Sequence, residues 1–289
     1  MASGEDLGSW NNRKDDDPVS QIVREFYDGD VEREWRRLDE PLGQVEFAST
    51  LRLVDRYFPE TGRVCDIGGG PGRYSVVLAQ RGYRVTLVDL SDGLLERATA
   101  AFDDANVSAE RFLRGDACEL GDLPSDYFDA GLLLGPLYHL VDRPKRLAAL
   151  TELRRILKTD AVGIVAYLNS WGILRCGVGD FPARYGDLSF VQSLLGEKTY
   201  HGVVPGFTEC YWSTPEAAVR EIGDAGFEVV SYGGAEGFAG GMRPMVERIA
   251  AEHPAVFPNL VQMASETSEL PQYRDATEHL HIVVRKTSG

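Results

Sequence analysis

Three alternate glycines and two aspartates form the pattern in this sequence most able to do chemistry. Asp66 is followed by Gly68, Gly70 and Gly72, between a short apolar segment and a segment with helical spacing. Glycines at such a junction allow a tight turn and close approach of a ligand, and the following helix offers free N–H groups. Asp89 ends the next apolar segment, where a carboxylate can accept hydrogen bonds from both hydroxyls of a ribose. The pattern therefore predicts a site for a ribose-containing ligand.

The same loop fits two common nucleotide motifs poorly. A phosphate-binding P-loop requires lysine after its last glycine, and this loop contains no lysine. The dinucleotide fingerprint Gly-x-Gly-x-x-Gly requires a third glycine where this chain has Arg73 or Ser75. A ligand with a ribose but no diphosphate is therefore favoured.

Apolar segments of strand length alternate with segments of helical periodicity from residue 63 onward. The predicted strands are Arg63–Ile67, Tyr83–Leu90, Val107–Arg114, Phe128–Leu134, Val162–Leu168, Phe227–Tyr232 and His279–Arg285. Alternation at this spacing predicts an α/β fold with a doubly wound, Rossmann-like, seven-stranded sheet.

Two long segments interrupt the alternation, and we interpret them as insertions. Both leave from the carboxyl ends of predicted strands, the edge at which open α/β sheets bind their ligands. They are therefore expected to form a helical and aromatic cap over the site. The predicted division is a disordered acidic tail (1–17), an N-terminal helical lid (18–60), a ligand-binding core (61–168, 213–233 and 278–289) and two cap insertions (169–212 and 234–277).

Four motifs stand in order at the ends of predicted elements. They are Val64-Cys-Asp-Ile-Gly-Gly-Gly-Pro-Gly-Arg-Tyr74, Val88-Asp-Leu-Ser91, Gly115-Asp-Ala117 and Leu153-Arg-Arg-Ile-Leu-Lys158. Together they resemble the class I S-adenosylmethionine (SAM) dependent methyltransferases of the small-molecule type. The resemblance covers residues 63–168 and implies SAM as the cofactor, methyl transfer as the reaction and an antiparallel last strand.

The resemblance also implies which residues contact SAM. The loop of Gly68, Gly70 and Gly72 would pass under the methionine part and the ribose, with Asp66 close to the ammonium group. The other implied contacts are Asp89 with the ribose hydroxyls, Leu90 and Ala117 with the adenine ring, Asp116 with the adenine amino group, and Leu134 and Gly135 with the methionine and the sulfonium. Tyr27 would fold over the SAM carboxylate as part of the lid, unless it is a core aromatic.

Tyr138 and His139 follow the fourth predicted strand, where the family places groups that face the transferred methyl. We take them as the candidate catalytic residues. His139 would be a general base if the nucleophile arrives protonated, and Tyr138 would orient the substrate. A buried structural histidine bonded to the backbone is the alternative interpretation of His139.

The first cap insertion is rich in aromatic residues, which suit an organic substrate and exclude water. The candidate substrate-binding residues are Arg175, Tyr185, His201, Glu236 and His279. His279 and His281 alternate on one strand, so their side chains face the same side. With Glu236 or Glu266 they could hold a metal ion, but a half-exposed edge strand is the favoured interpretation, and no metal is predicted.

The composition disfavours several classes of partner. The 289 residues carry a formal charge of −15, from 45 acidic and 30 basic side chains. Such a chain is unsuited to non-specific binding of nucleic acid or to an anionic membrane surface. No apolar run has the length of a membrane span, and the acidic N-terminus does not resemble a signal peptide. The four scattered cysteines form no metal or disulfide pattern, and a cytoplasmic location is expected.

These observations predict an enzyme that transfers a methyl group from SAM to a small organic metabolite, releasing S-adenosylhomocysteine (SAH). The reaction would be an in-line displacement, in which alignment and desolvation supply much of the catalysis. One alternative is a SAM-binding protein that acts as a regulator or as a non-methylating transferase. A weaker alternative is an NAD(P)-dependent oxidoreductase. The sequence leaves open the substrate, the atom that is methylated and the oligomeric state.

Overall fold

A mostly parallel sheet is the centre of the computed structural model, which describes residues 17–201 and 207–288. Its strands are β1 Arg63–Ile67, β2 Arg84–Asp89, β3 Arg111–Arg114, β4 Phe128–Leu133, β5 Leu157–Asn169, β6 Lys198–Tyr200, β7 Cys210–Ser213, β8 Phe227–Gly234 and β9 His279–Lys286. The order β3-β2-β1-β4-β5 is parallel, and β9 lies antiparallel between β5 and β8. This arrangement confirms the predicted Rossmann-like sheet with an antiparallel last strand.

Two short strands were not predicted from the sequence. β7 pairs in parallel with the end of β5, through Leu168 and Asn169 only, and β6 pairs antiparallel with β7. Both strands come from the region assigned to the first cap insertion, so the cap extends the sheet beyond the end of β5. A third difference concerns β3, which begins at Arg111 rather than at Val107. The backbone N–H of Val107 instead donates to Phe102 and closes the preceding helix.

Helices cover both faces and the ligand-binding edge of the sheet. They are α1 Pro18–Asp28, α2 Val31–Arg37, α3 Pro41–Tyr57, α4 Arg73–Gln80, α5 Asp92–Asp104, α6 Pro136–His139, α7 Arg143–Ile156, α8 Ser170–Asp180, α9 Leu188–Ser193, α10 Pro215–Asp224, α11 Arg243–Glu252, α12 Phe257–Thr267 and α13 Pro271–Arg274. Many begin with proline, whose missing N–H costs nothing in the first helical turn. No helix among the described residues is long and apolar enough to span a membrane.

Side chains of the central strands point alternately into two apolar layers. Cys65 and Leu133 belong to the layer that includes α7 and α10, whereas Val64 and Leu132 belong to the layer that includes α3 and α4. This burial on both faces explains why the strands read as nearly continuous apolar runs.

The lid helix α3 and the second cap insertion share a small core of their own. Leu42 and Val45 of α3 pack with Ala239, Val246 and Ala264 of the insertion. The predicted tail at 1–17 lies outside the described residues, except for Asp17. That residue caps α1 by accepting from the N–H of Ser20, and it forms an ion pair with Lys145.

A buried ion pair fixes the chain that leaves the end of β4. The guanidinium of Arg146 on α7 donates to both oxygens of Glu221 on α10, at 2.9 and 3.0 Å, and to the carbonyls of Leu140 and Val141. Tyr167 of β5 also donates to Glu221, and both members of the pair are almost fully buried. The pair therefore ties two helices to the segment that follows α6.

We expect Arg146→Ala to lower the free energy of unfolding by about 3–5 kcal/mol, because Glu221 would be left buried without its counter-charge. Arg81→Ala is the matched control, since Arg81 is exposed and pairs with the exposed Asp55, so its loss should cost less than about 1 kcal/mol. Urea denaturation of both variants measures the difference. Equal losses in the two variants would contradict this role for Arg146.

Candidate active site

Two adjoining cavities open at the carboxyl edge of the parallel strands. The strand-end cavity is lined by residues that follow β1, β2, β3 and β4 and by helix α1. The cap cavity encloses about 600 Å³ between α2, α3 and the two insertions. Both cavities share a wall formed by Tyr27, Glu34, Arg37, Glu46 and Tyr138. A ligand in one cavity would therefore lie next to a ligand in the other.

The glycine loop after β1 needs its glycines for two different reasons. Gly68 has a φ of 67°, and a Cβ there would lie 2.5 Å from the ring of Pro136. Gly70 has a φ of 56° and only open space where a Cβ would stand, at the strand-end cavity. Gly72, predicted as a ligand contact, does not line the cavity, because it starts α4 and packs against Ala98 of α5.

Asp89 presents a preformed acceptor to the strand-end cavity. Its two carboxylate oxygens accept from the backbone N–H groups of Gly70 at 2.8 Å and of Ser91 at 2.9 Å. Burial raises the pKa of this carboxyl to about 6, although the backbone N–H groups act in the opposite direction. Each oxygen keeps a lone pair for a further donor.

Asp66 lies deeper beneath the same loop. Its carboxyl is buried and accepts from the hydroxyl of Ser75 at 2.7 Å. Burial raises its pKa to about 7, and the nearby charge of Asp89 adds to the rise. The other predicted residues that line this cavity are Tyr27, Gly68, Gly70, Leu90, Asp116, Ala117, Leu134 and Gly135.

Helix α1 covers the strand-end cavity with one face. Ser20, Val23, Arg24 and Tyr27 line the cavity at positions three, four and seven residues apart. This helical spacing was present in the sequence and could have extended the prediction beyond Tyr27. Arg37 and Arg73 were also missed, because they reach the cavity only through the packing of α2 and α4.

His139 joins the lid, the sheet and the cap. Its Nε2 lies 2.8 Å from the hydroxyl of Tyr27, and its Nδ1 lies 3.0 Å from the carbonyl oxygen of Glu209. Because a carbonyl only accepts, Nδ1 carries the proton and Nε2 accepts from Tyr27. Burial lowers the pKa of His139 to about 4, so the ring is neutral. Both nitrogens are in use, and the geometry favours the structural interpretation over the general-base hypothesis.

Tyr138 stands at the wall between the cavities with its hydroxyl unengaged by any described residue. A Cβ on Gly135 would lie 4.0 Å from this hydroxyl, which places the hydroxyl near the end of β4. Burial raises the pKa of Tyr138, so the phenol keeps its proton at neutral pH. The hydroxyl is therefore available to donate to a ligand.

An ion-pair network forms the polar end of the cap cavity. The Nδ1 of His279 lies 2.7 Å from Glu236, whose other oxygen accepts from the N–H groups of Glu278 and His279. Burial lowers the pKa of His279, but the carboxylates of Glu236 and Glu46 outweigh it and raise the value to about 9. Glu46 in turn accepts from two nitrogens of Arg37, at 2.6 and 3.2 Å.

Comparisons with known proteins agree with this geometry. A family model described as a methyltransferase domain matches residues 64–160. A putative methyltransferase of Encephalitozoon cuniculi is 31% identical over 221 residues, which are 75% of this chain and 94% of that protein. The chain belongs to the SAM-dependent methyltransferase family. The predicted family, enzyme class and cofactor are thereby confirmed.

Two further likenesses show the breadth of the family. The tRNA 5-carboxymethoxyuridine methyltransferase of Escherichia coli strain K12 is 23% identical over 249 residues, or 84% of this methyltransferase and 89% of that protein. The solved 1,6-didemethyltoxoflavin-N1-methyltransferase of Burkholderia thailandensis is similar in fold, with a TM-score of 0.57 and 18% identity, covering 93% of this chain and 87% of that chain.

The strand-end cavity of the methyltransferase fits SAM. Gly70 leaves open space beside the carboxylate of Asp89, which is held ready to accept from a ribose. Arg24 lines the same cavity without an acidic partner among the described residues and offers positive charge to a carboxylate, whereas Arg37 and Arg73, which also line it, are paired with Glu46 and Asp39. The cavity thus carries groups suited to the ribose, to the ammonium and to the carboxylate of SAM.

Three of the five predicted substrate residues line neither cavity. Arg175 packs against Gly241, the hydroxyl of Tyr185 donates to the carbonyl of Leu174, and His201 is exposed beside Glu209. The other two, Glu236 and His279, do line the cap cavity. Sequence reasoning could not separate the two groups, because side-chain direction in an insertion depends on how the insertion folds back.

The side chains that could bind a metal ion already form ion pairs within the protein. Glu46, Glu236 and His279 place potential ligand atoms within 4.8 Å of one another. However, Arg37 and His279 themselves supply the positive charge that both carboxylates require. His281 faces the same side but bonds to the hydroxyl of Thr50 at 3.0 Å, and burial lowers its pKa to about 4.

We expect Asp89→Asn to weaken SAH binding by at least about tenfold, because a charge-assisted hydrogen bond to the ribose would be lost. Asp92→Asn is the matched control, since Asp92 is exposed at the start of α5. Isothermal titration with SAH compares the two variants. An unchanged dissociation constant in Asp89→Asn would contradict the assignment.

The affinity for SAH should rise between about pH 5 and pH 8. In the free protein, Asp66 and Asp89 hold protons up to pH values near their raised pKa of about 7 and about 6. An ammonium group and ribose hydroxyls bind the ionised carboxyls, so binding releases protons and strengthens as the pH rises. Titrations across this pH range should show at least about a tenfold increase in SAH affinity. The increase should be smaller in Asp66→Asn, because one of the two titrating carboxyls is then absent. A flat profile in the parent protein would refute the linkage.

Proposed function

We propose that this methyltransferase transfers the methyl group of SAM to a small organic metabolite held in the cap cavity. The observation that carries the proposal is the cap cavity of about 600 Å³, which shares a wall with the strand-end cavity. Small-molecule sites have volumes of this order. A metabolite in the cap cavity would meet the cofactor at Tyr138, which lines both cavities.

The lining of the cap cavity suits an organic ring. Phe190, Tyr200, Phe207 and Trp212 line it, and the rings of Tyr200 and Trp212 are stacked with centroids 5.5 Å apart. An aromatic wall binds a planar apolar body and excludes water from the reacting groups. Secondary metabolites with aromatic or apolar frames fit this description.

Each part of the site has a separate task in this proposal. Bound SAM supplies a methyl group on a sulfonium, which is already a good leaving group. Asp89 and the glycine loop hold the cofactor, helix α1 covers it, and Tyr138 orients the substrate against it. The Tyr27–His139 hydrogen bond keeps the covering helix attached to the sheet. Alignment and exclusion of water then account for most of the catalysis.

A nucleic acid is the second candidate substrate, since the relatives include an enzyme named for a tRNA nucleoside. A tRNA substrate would have to place an extruded base in the cap cavity, as base-modifying enzymes do. It would also need a basic surface for the phosphates, whereas this chain carries a formal charge of −15. The charge therefore favours a metabolite.

Methyl-labelled SAM distinguishes these substrates when the enzyme is offered a small-metabolite fraction or bulk tRNA from the source organism. We expect label in the metabolite fraction and the formation of SAH. Label in tRNA alone would contradict the proposal. Intact SAH binding with no transfer to either pool would favour the alternative of a SAM-binding regulator.

A substitution that fills the cap cavity gives an independent check. Ala183→Trp should reduce methylation of the metabolite while leaving SAH affinity unchanged, because Ala183 lines the cap cavity and not the strand-end cavity. Ala100→Trp is the matched control, since Ala100 is exposed on α5, away from both cavities. Equal activity in the two variants would place the substrate elsewhere.

A further inference from the structure

Near the wall between the cavities, two hydrogen-bond donors lack partners among the described residues. The hydroxyl of Tyr138 bonds to no described residue. The Nδ1 of His279 is engaged by Glu236 at 2.7 Å, and none of the described residues bonds to Nε2. The rings of Tyr138 and His279 lie with centroids 6.5 Å apart, and both residues line the cap cavity.

The carboxylates that contact His279 and Arg37 have little capacity left for a cationic substrate. Glu46 accepts from two nitrogens of Arg37, and Glu236 accepts from His279 and from two backbone N–H groups. Glu278 accepts from Arg243 through one oxygen. Its other oxygen lacks a partner but is fully buried, so a ligand in the cavity does not reach it. Of the other carboxylates that line the cap cavity, Glu34 accepts from Arg37 through one oxygen, and Glu40 is exposed and has no cationic partner among the described residues.

Two further cations at the cap cavity lack acidic partners among the described residues. The guanidinium of Arg33 lies over the ring of Phe26, with its carbon 4.4 Å from the ring centre. The guanidinium of Arg184 lies over Phe190 and donates to the hydroxyl of Tyr200. Both residues line the cavity and would attract an anion towards it.

We propose that His279 and Tyr138 bind an anionic oxygen of the substrate, either a carboxylate or a phenolate, and that this oxygen receives the methyl group. The inference rests on the proposed function, because it requires a metabolite in the cap cavity. His279 and Tyr138 would touch the reacting oxygen directly. Glu236 would be a positioning residue that fixes the imidazole through Nδ1.

The chemistry balances without a general base. The ionised oxygen forms a bond to the methyl carbon, the carbon–sulfur bond breaks, and its electron pair stays on sulfur as SAH forms. No proton moves, which agrees with the engagement of both nitrogens of His139. The product is a neutral ester or ether, so its attraction to His279 falls when the reaction is complete.

The charge state of His279 supports this use of the ring. Glu236 and Glu46 raise its pKa to about 9, against the effects of burial and of Arg37. Glu278, Tyr138 and the neutral His281 also lie near the ring. Burial and the charge of Glu236 raise the pKa of Glu278 to about 7, and Tyr138 keeps its proton. Both donors therefore carry hydrogen at neutral pH.

Matched probes test the inference on the full-length protein saturated with SAH. The carboxylate arm compares 3-phenylpropanoate with 3-phenylpropanamide, and the phenolate arm compares 4-nitrophenolate with nitrobenzene at about pH 8. In at least one arm, we expect the anion to bind at least about tenfold tighter than its neutral partner. Phenethylamine should bind more weakly than either anion. No preference for an anion in both arms, or tighter binding of the amine, would overturn the inference.

Variants locate the preference. His279→Gln should abolish the tighter binding of the anion, and Tyr138→Phe should reduce it. The affinity for SAH should be unchanged in His279→Gln, because His279 does not line the strand-end cavity. His253→Gln, at an exposed position after α11, should retain the tighter binding of the anion. Anion affinity should fall as the pH rises through about 9 in the parent protein and not in His279→Gln, since only the protonated ring attracts the anion. The same preference in His279→Gln would exclude the assigned role.

The product separates this inference from the proposed function. Label from SAM in a methyl ester is released by alkali and label in an aryl ether is not, which distinguishes carboxylate from phenolate. A metabolite methylated on nitrogen or carbon would leave the proposed function standing and refute this inference. Label in tRNA alone would refute both.

Discussion

The buried hydrogen-bond chain through His139 is the interaction on which the site depends most. Tyr27 of the lid donates to one ring nitrogen, and the other nitrogen donates to the carbonyl of Glu209, beside the strand that closes the cap. The ring is neutral because burial lowers its pKa to about 4. The short helix α6 therefore connects the helix that covers the strand-end cavity to the segment that leads into β7 beside the cap cavity.

The two cavities handle charge in different ways. In the strand-end cavity, burial raises the pKa of Asp66 and Asp89. Both carboxyls are therefore ionised more completely when a ligand with a cationic group and hydroxyls binds beside them. In the cap cavity, the carboxylates of Glu46 and Glu236 are already matched by arginine and histidine, while the hydroxyl of Tyr138 and the Nε2 of His279 have no partner among the described residues. This division suits a cationic cofactor on one side of Tyr138 and an anionic metabolite on the other.

The parallel sheet follows from signals that are local in the chain, whereas the antiparallel last strand was implied by the resemblance to the methyltransferases. Apolar runs bounded by glycine and proline predict β1, β2 and β4 well, because strands buried on both faces need continuous apolar sequence, whereas β5 begins at Leu157, five residues before its predicted start. β6 and β7 escaped prediction because three or four residues carry too little periodicity. Their pairing depends on where the insertion returns to the sheet edge.

By itself, the sequence determined the glycine loop, the carboxylate at the end of β2 and the family, because these features lie within one strand, one turn and the next strand. Only the tertiary structure decided the roles of His139, Arg175 and His279. His139 meets a partner 112 residues away and another 70 residues away, and His279 meets Glu236 across 43 residues. The physical reason is that the hydrogen-bond partners of a side chain depend on which residues lie near it in the folded protein, and these can be far away along the chain. A side chain is available for chemistry only if no distant partner has already taken it.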